Sequence, residues 1–299
     1  MGLKQQTIRE EIIFSGKGLH TGLQVTMCVK PAPANHGITF RRVDLEGAPT
    51  VPALGTYVTD TSRGTTIECG AAKVSTIEHI ISALWTLGVD NAEIDINAPE
   101  TPIMDGSARE YAAEIERVGV EEQDADREYY TVSEEVSFSI PEKGVEVRLL
   151  PADEYDINVA VDYNSKVLGK QQAHFAESDN YRAEIAPCRT FVFLHEIMFL
   201  FNANLIKGGD VDNAIVVVEH PVSDEEIARL SALFNKSDIK VSGGYLNNLK
   251  LRFENEIARH KLLDILGDLA LLGRRIRGKV VATRPGHYAN TELVKKILA

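Results

Sequence analysis

A histidine and two carboxylates recur at intervals of four in "NEIARHKLLDILGDLALLG", the stretch from Asn255 to Gly273: His260, Asp264 and Asp268, with Lys261 next to the first. On a helix of about 100° per residue, Asp264, Asp268 and Lys261 lie about 40°, 80° and 100° from His260. Leu262, Ile265, Leu266 and Leu269 fall on the other side. Such a stripe reads two ways. As a solvated face it gains a few tenths of a kcal/mol per i,i+4 pair. As a covered face, which the flanking Leu263 and Leu271 suggest, it offers an imidazole and a carboxylate to one metal ion. Hydrolytic zinc sites use three protein ligands and leave one position for water, so one ligand is missing from this helix.

The stretch "VSTIEHIISALWTLG" offers it. Ser75-Thr76-Ile77-Glu78 matches a capping box, in which Glu78 caps the helix start and His79 is a first-turn core residue. Beside His260 and Asp264, however, His79 becomes the third ligand and Glu78 a neighbouring carboxylate able to act as a base. The order is not that of the HExxH helix: Glu precedes His, and four residues on stands Ala83. "LHEIMFL" is a decoy, because His195 is followed four residues later by Phe199. His36, His174 and His220 have no partner in sequence. His20 lies in "SGKGLHTG", a Gly-rich turn without the GK[ST] and following helix of a phosphate loop. His287, in "RPGHYAN", precedes a terminal helix that Asn290 is expected to cap.

These residues need two sets of elements to hold them. The β-type runs "TIREEIIFSG", "LQVTMCVKPA", "GITFRRVD" and "TTIEC" lead to a helix at about Thr76–Leu87, a strand "NAEIDINA" and a helix at about Ser107–Val118. After the charge run "EEQDADRE" the order partly repeats. Strands at "YYTVSEEVSFSI", "VEVRLLPA" and "YDINVAVDY" precede a helix at about Glu254–Leu272, the strand "KVVATR" and a terminal helix. No residue-level repeat is visible, so duplication is inferred from element order. The reading is an α+β fold of two domains of similar topology, each a layer of sheet packed with helices. Residues 1–120 form the first domain, 121–128 a linker and 129–299 the second.

Bulk properties bound the function. The chain has 299 residues, 44% hydrophobic and 25% charged, enough for a sizeable core. A formal net charge of -12 argues against general nucleic-acid binding, which needs clustered basic residues. The basic "GRRIRGK" (Gly273–Lys279) is read as complementing a helix C-terminal dipole. Cys28, Cys69 and Cys188 stand far apart, as in a reducing cytoplasm. The N-terminus lacks a signal pattern. The most apolar stretch, "TFVFLHEIMFLFNANL", is interrupted by polar residues and falls short of the ~20 a membrane span needs. A cytoplasmic, soluble monomer is expected.

Taken together, "SGKGLHTG", "TIEHIISAL", "PIMDGSA", "CRTF", "RHKLLDILGDL" and "GHYAN" resemble, in order and spacing, the zinc-dependent UDP-3-O-acyl-N-acetylglucosamine deacetylases, which perform the committed step of lipid A synthesis. The resemblance covers essentially the whole chain. It implies an active site between the two domains and a Zn2+ cofactor held by His79, His260 and Asp264. It implies Glu78 as general base, and His287, paired to Asp268, as the charged group assisting amine departure. Thr190 is implied near the developing oxyanion and Phe191 near the sugar. Lys261 and Lys143 are implied at the nucleotide diphosphate, and His20 among the substrate-binding residues. The apolar segment at about 191–206 corresponds to an acyl-chain passage. Two readings compete. Two histidines and a carboxylate also describe a non-haem Fe(II) oxygenase, which needs further open positions for oxygen and a cosubstrate. A non-catalytic scaffold would leave the stripe solvated and Glu78 a cap.

Overall fold

Burial alternates along the early strands as a half-covered sheet requires. In Gln24–Pro31, Val25, Met27 and Val29 are buried while Gln24 and Thr26 face solvent. The computed structural model describes residues 3–197, 209–237, 239–246 and 250–299. In it five strands form a first sheet, in the order Ile12–Lys17, Gln24–Pro31, Ala92–Ile96, Ile38–Arg42, Thr50–Pro52. The central strand, Ala92–Ile96, is antiparallel to Gln24–Pro31 and parallel to Ile38–Arg42; the outer pairs are antiparallel.

A second five-stranded sheet has the order Val136–Ile140, Val145–Leu150, Lys279–Thr283, Asp156–Asp162, Lys170–Ala176. Its central strand is again antiparallel to one neighbour and parallel to the other, with antiparallel outer pairs. The two sheets therefore share one topology, as the element order predicts. Parallel neighbours need a crossover connection. In the first half that connection contains the helix Glu78–Thr86, and in the second the helix Glu256–Ala270. After each central strand comes another helix, Arg109–Val118 and His287–Leu298 respectively. This is an α+β fold.

The helices of both halves lie against one another. Glu78–Thr86 packs on Glu256–Ala270 and on Arg109–Val118, and Glu256–Ala270 packs in turn on the second sheet. One apolar core runs through both halves and includes Ile80, Leu84, Leu262 and Leu266. Every residue of Glu256–Ala270 except Arg259 and Lys261 is buried. Its polar stripe is therefore covered, and the solvated-face reading fails. The crossing point is Gly267, where an added Cβ would sit 2.3 Å from the carbonyl oxygen of Glu78. Only a residue without a side chain lets the two backbones meet there.

Two elements differ from expectation. Most of the charge run Glu121–Glu128 is a strand: Val120–Asp126 pairs antiparallel with Lys4–Ile8, and Lys4 forms an ion pair with Asp126. Its acidic residues Glu121, Glu122, Asp124 and Asp126 are exposed while Val120, Gln123 and Ala125 are partly covered, so the charges fit a ribbon edge. The segment after Phe191 contributes to a four-stranded sheet of its own, in the order Phe191–Phe193, Ile215–Val217, Tyr245–Leu246, Val241–Ser242. Of the expected acyl passage at 191–206, residues 198–206 lie outside the described residues.

Candidate active site

The helix bearing Glu78 and His79 does not begin as a capping box. Its N-cap is Ile77 with no side-chain cap, and the Ser75 hydroxyl donates instead to the carbonyl of Pro99. Between them Thr76 adopts φ +59°, a left-handed conformation that is an outlier for a β-branched residue. Two bonds hold it: Thr76 Oγ1 donates to buried Glu100, and Thr101 Oγ1 donates to the Thr76 carbonyl. Glu100 also accepts the backbone N–H of His20 and Thr21 and the Thr21 hydroxyl, which anchors the "SGKGLHTG" turn to the same corner. The bend releases the Glu78 carboxylate from capping. It accepts the Thr65 backbone N–H at 3.0 Å, close against Gly64.

His79, His260 and Asp264 meet across the helix pair. One donor atom of each lies within 4.8 Å of the others, and all three residues are buried. The His260 ring stands edge-on to His79 at 5.3 Å between centroids. His260 Nδ1 lies 3.1 Å from the Cys188 carbonyl, which selects the tautomer with a proton on Nδ1. That leaves Nε2 bare and 3.5 Å from Asp264 Oδ1. Asp264 Oδ1 is buried and completes no hydrogen bond among the described residues, while Oδ2 accepts from Lys261 at 2.8 Å. A buried orphan carboxylate oxygen beside a bare imidazole nitrogen is a donor set that suits a metal ion.

The electrostatics agree. Burial, then His260, depress the His79 imidazole to about 3, so it is neutral. Burial likewise lowers the pKa of His260. Burial would raise Asp264, but Lys261, His260 and His287 override it and hold the carboxyl far below the usual range. Metal ligands must be in these deprotonated forms.

Behind the cluster sits a second constellation. Asp268 Oδ2 lies 3.0 Å from His287 Nδ1 and accepts from Asn290 Nδ2 at 2.8 Å; Oδ1 accepts the Thr65 hydroxyl. His287 Nε2 points back to Glu78 Oε1 and Asp264 Oδ2, at 3.9 Å from each. Burial pulls the His287 pKa down, but Asp268, Asp264 and Glu78 push it up to about 10, which makes it a cation at neutral pH. Burial, opposed by His287 and reinforced by Asp264 and Asp268, lifts Glu78 to about 7. A carboxylate near neutrality and a fixed cation thus flank three neutral or anionic donors.

The remaining expected residues divide. Phe191 lies beside the cluster, its ring 6.5 Å from that of His260, and Lys261 Nζ sits 5.5 Å from its centroid. Thr190, Phe191 and His20 line a cavity of ≈ 640 Å³, and Phe191 in its wall is the residue that stands against His260. His195 and Glu196, the decoy pair, line the same cavity, and Glu196 accepts the Phe193 N–H. Lys143 is exposed in the turn Pro141–Lys143 and its ammonium makes no contact with the cluster among the described residues. Asn290 is not a cap: the last helix starts at His287 after Gly286, and Asn290 is a buried residue of its first turn that braces Asp268. Sequence reasoning missed Thr65, which touches Glu78, Asp268 and His287. It also missed the Cys188 carbonyl. The motifs "CRTF" and "GHYAN" are signals for Cys188 and Asn290; Thr65 has none beyond its place in the run "TTIEC".

Comparison with known proteins bears on the whole chain. The family described as "LpxC: UDP-3-O-acyl N-acetylglycosamine deacetylase" matches residues 5–236 and 239–299. A "Bifunctional enzyme LpxC/FabZ" of Bacteroides thetaiotaomicron is 45% identical over 296 residues, 99% of this chain and 64% of that protein. Its namesake from Porphyromonas gingivalis is 46% identical over 295 residues, 98% of this chain and 64% of the relative. The chain thus spans just under two thirds of the length of these relatives. A "UDP-3-O-acyl-N-acetylglucosamine deacetylase" of Anaeromyxobacter sp. is 38% identical over 296 residues, 99% of this chain and 88% of its own.

Proposed function

The chain belongs to the LpxC family of UDP-3-O-acyl N-acetylglycosamine deacetylases, and from that premise we propose that it hydrolyses the acetamide of UDP-3-O-acyl-N-acetylglucosamine, releasing acetate, in lipid A biosynthesis. The observation that carries the proposal is the convergence of His79, His260 and Asp264 beside a neighbouring pair, Glu78 and cationic His287. The oxygenase alternative finds no support in this family.

In this reading His79, His260 and Asp264 hold Zn2+, which, when bound, activates water and polarises the acetamide carbonyl. Glu78, lifted to about 7, is matched to taking a proton from the attacking water at neutral pH. The Thr190 hydroxyl donates to the developing oxyanion, a contribution of about 3–4 kcal/mol for such donors. His287, kept cationic by Asp268, stabilises or protonates the departing amine. Phe191 supports the sugar from the cavity wall. Lys261 serves the diphosphate while remaining paired with Asp264. Lys143 and His20 are carried by the family resemblance, His20 with the added support of lining the cavity. The acyl chain enters along the segment after Phe191.

Two domains, 1–120 and 129–299, joined at 121–128, are part of the same proposal, supported by the repeated sheet topology. A monomer is part of the same reading. Three free cysteines support a cytoplasmic setting. No described helix is long and apolar enough to cross a membrane.

Acetate release from UDP-3-O-acyl-N-acetylglucosamine, with and without a chelator, tests the proposal. Release that the chelator abolishes and added zinc restores is expected. No release from metal-loaded protein would refute it.

A further inference from the structure

The polar stripe on the helix Glu256–Ala270 has one more member, a turn ahead of His260. Glu256 is fully buried, and its carboxylate accepts four hydrogen bonds. Oε1 accepts the backbone N–H of Arg189 at 3.1 Å and its Nε at 2.9 Å; Oε2 accepts Arg189 Nη2 at 3.1 Å and the backbone N–H of Arg252 at 2.7 Å. Arg189 is itself buried and donates onward to the Lys250 carbonyl. Arg252 donates to the Pro187 carbonyl at 2.6 Å, the Ser107 hydroxyl at 3.3 Å and Asp105 at 2.8 Å. Gly106, between those two residues, accepts the backbone N–H of Thr190 at 2.8 Å.

Every residue of the short run 187–190 is thus tied down, and Cys188 lies in its middle. Its carbonyl is the partner of His260 Nδ1. A buried ion pair is weak evidence for stability, since apolar residues of similar volume often serve as well. The network has a sharper consequence. It clamps the irregular segment carrying the Cys188 carbonyl to the same helix, one turn from the imidazole that carbonyl must orient.

We propose that Glu256 and Arg189, extended by Arg252, are positioning residues for His260. They hold the Cys188 carbonyl where it selects the Nδ1–H tautomer and turns Nε2 toward His79 and Asp264. The same clamp keeps Thr190 in the cavity wall through Gly106. The consequence for metal affinity rests on the metal site proposed above; the consequence for the His260 tautomer does not.

Substitution Arg189→Lys keeps the charge beside Glu256 but loses the planar, two-pronged contact. The metal-free protein is examined by imidazole ¹⁵N–¹H NMR, and zinc affinity by competition with a chelator. In the wild type, His260 is expected as the single Nδ1–H tautomer. In folded Arg189→Lys it is expected as a mixture, with zinc binding about 10–100-fold weaker, the usual effect of losing a ligand's outer partner. A folded variant with the wild-type tautomer and affinity within threefold overturns the proposal. Should Arg189→Lys not fold, the pair Arg189→Met with Glu256→Leu, which removes both charges together, carries the same two measurements. An Nε2–H tautomer in the wild type overturns the proposal without any variant. A wild type that keeps the tautomer but takes up no zinc refutes the metal site instead, and the tautomer contrast then decides the clamp.

Discussion

Replacing Gly267 by Ala perturbs the site through one methyl group. The new Cβ would lie 2.3 Å from the Glu78 carbonyl oxygen, 2.8 Å from its Cα and 2.9 Å from its carbonyl carbon. All three atoms are backbone, so no side chain can swing aside. Restoring ordinary contact at 3.4 Å requires the two helices to part by about 1 Å. That displacement separates Glu78 and His79, on one helix, from Asp264 and Asp268, on the other. Misplacement of reacting groups by about 1 Å costs about 10²-fold in rate. Overpacking costs about 1–3 kcal/mol, and the better helix propensity of Ala returns about 1 kcal/mol of it. The variant is therefore expected to remain folded while kcat for acetate release drops about 100-fold. Steady-state kinetics beside a thermal melt check this. A folded variant with kcat within threefold of the wild type would refute the claim that this crossing sets the catalytic geometry.

Glu78→Gln is expected to keep its bound metal, by elemental analysis, while deacetylation falls about 10²–10⁴-fold; undiminished activity would remove the base assignment. His79→Ala is expected to lose the metal, and stoichiometric zinc in that variant would sink the ligand set. Asp268→Asn removes the strongest influence raising the His287 pKa, which stands at about 10 against 6.5 for a free imidazole. The cation is favoured by folding, so its stabilisation is complete below about 6.5 and lost as pH rises through about 10. In Asp268→Asn the basic limb of the pH–rate profile should move to lower pH; an unmoved limb would rule out His287 as the titrating group. Thr190→Val is expected to lower kcat about 10²–10³-fold with little change in KM, read from the same kinetics.

The helix-borne part of the site was legible because its residues repeat with the helix period. His260, Asp264 and Asp268 share a face by spacing alone, and the structure adds only that the face is covered. The duplicated topology was legible from element order, because each parallel pair demands a helical crossover. Local patterns misled where long-range contacts outweighed them. Ser75 to Glu78 has the residues of a capping box, yet Glu100 and Thr101 hold Thr76 in a left-handed bend and the carboxylate turns to Thr65. Asn290 has the chemistry of a cap, but a buried carboxylate lies within its reach. The acidic run after Val120 has no apolar period to announce a strand, yet it pairs with Lys4–Ile8, more than a hundred residues away. Thr65 and Asp268 stand 203 residues apart, and Arg189 and Glu256 stand 67 apart. No period or motif connects such pairs.

Anomalous diffraction at the zinc edge, from crystals of the metal-loaded protein, decides whether His79, His260 and Asp264 hold the metal. One strong peak is expected, bonded at about 2.0–2.2 Å to His79, His260 and Asp264, with Glu78 close but not coordinating. A peak bound elsewhere, or one that takes Glu78 as a ligand, would contradict it.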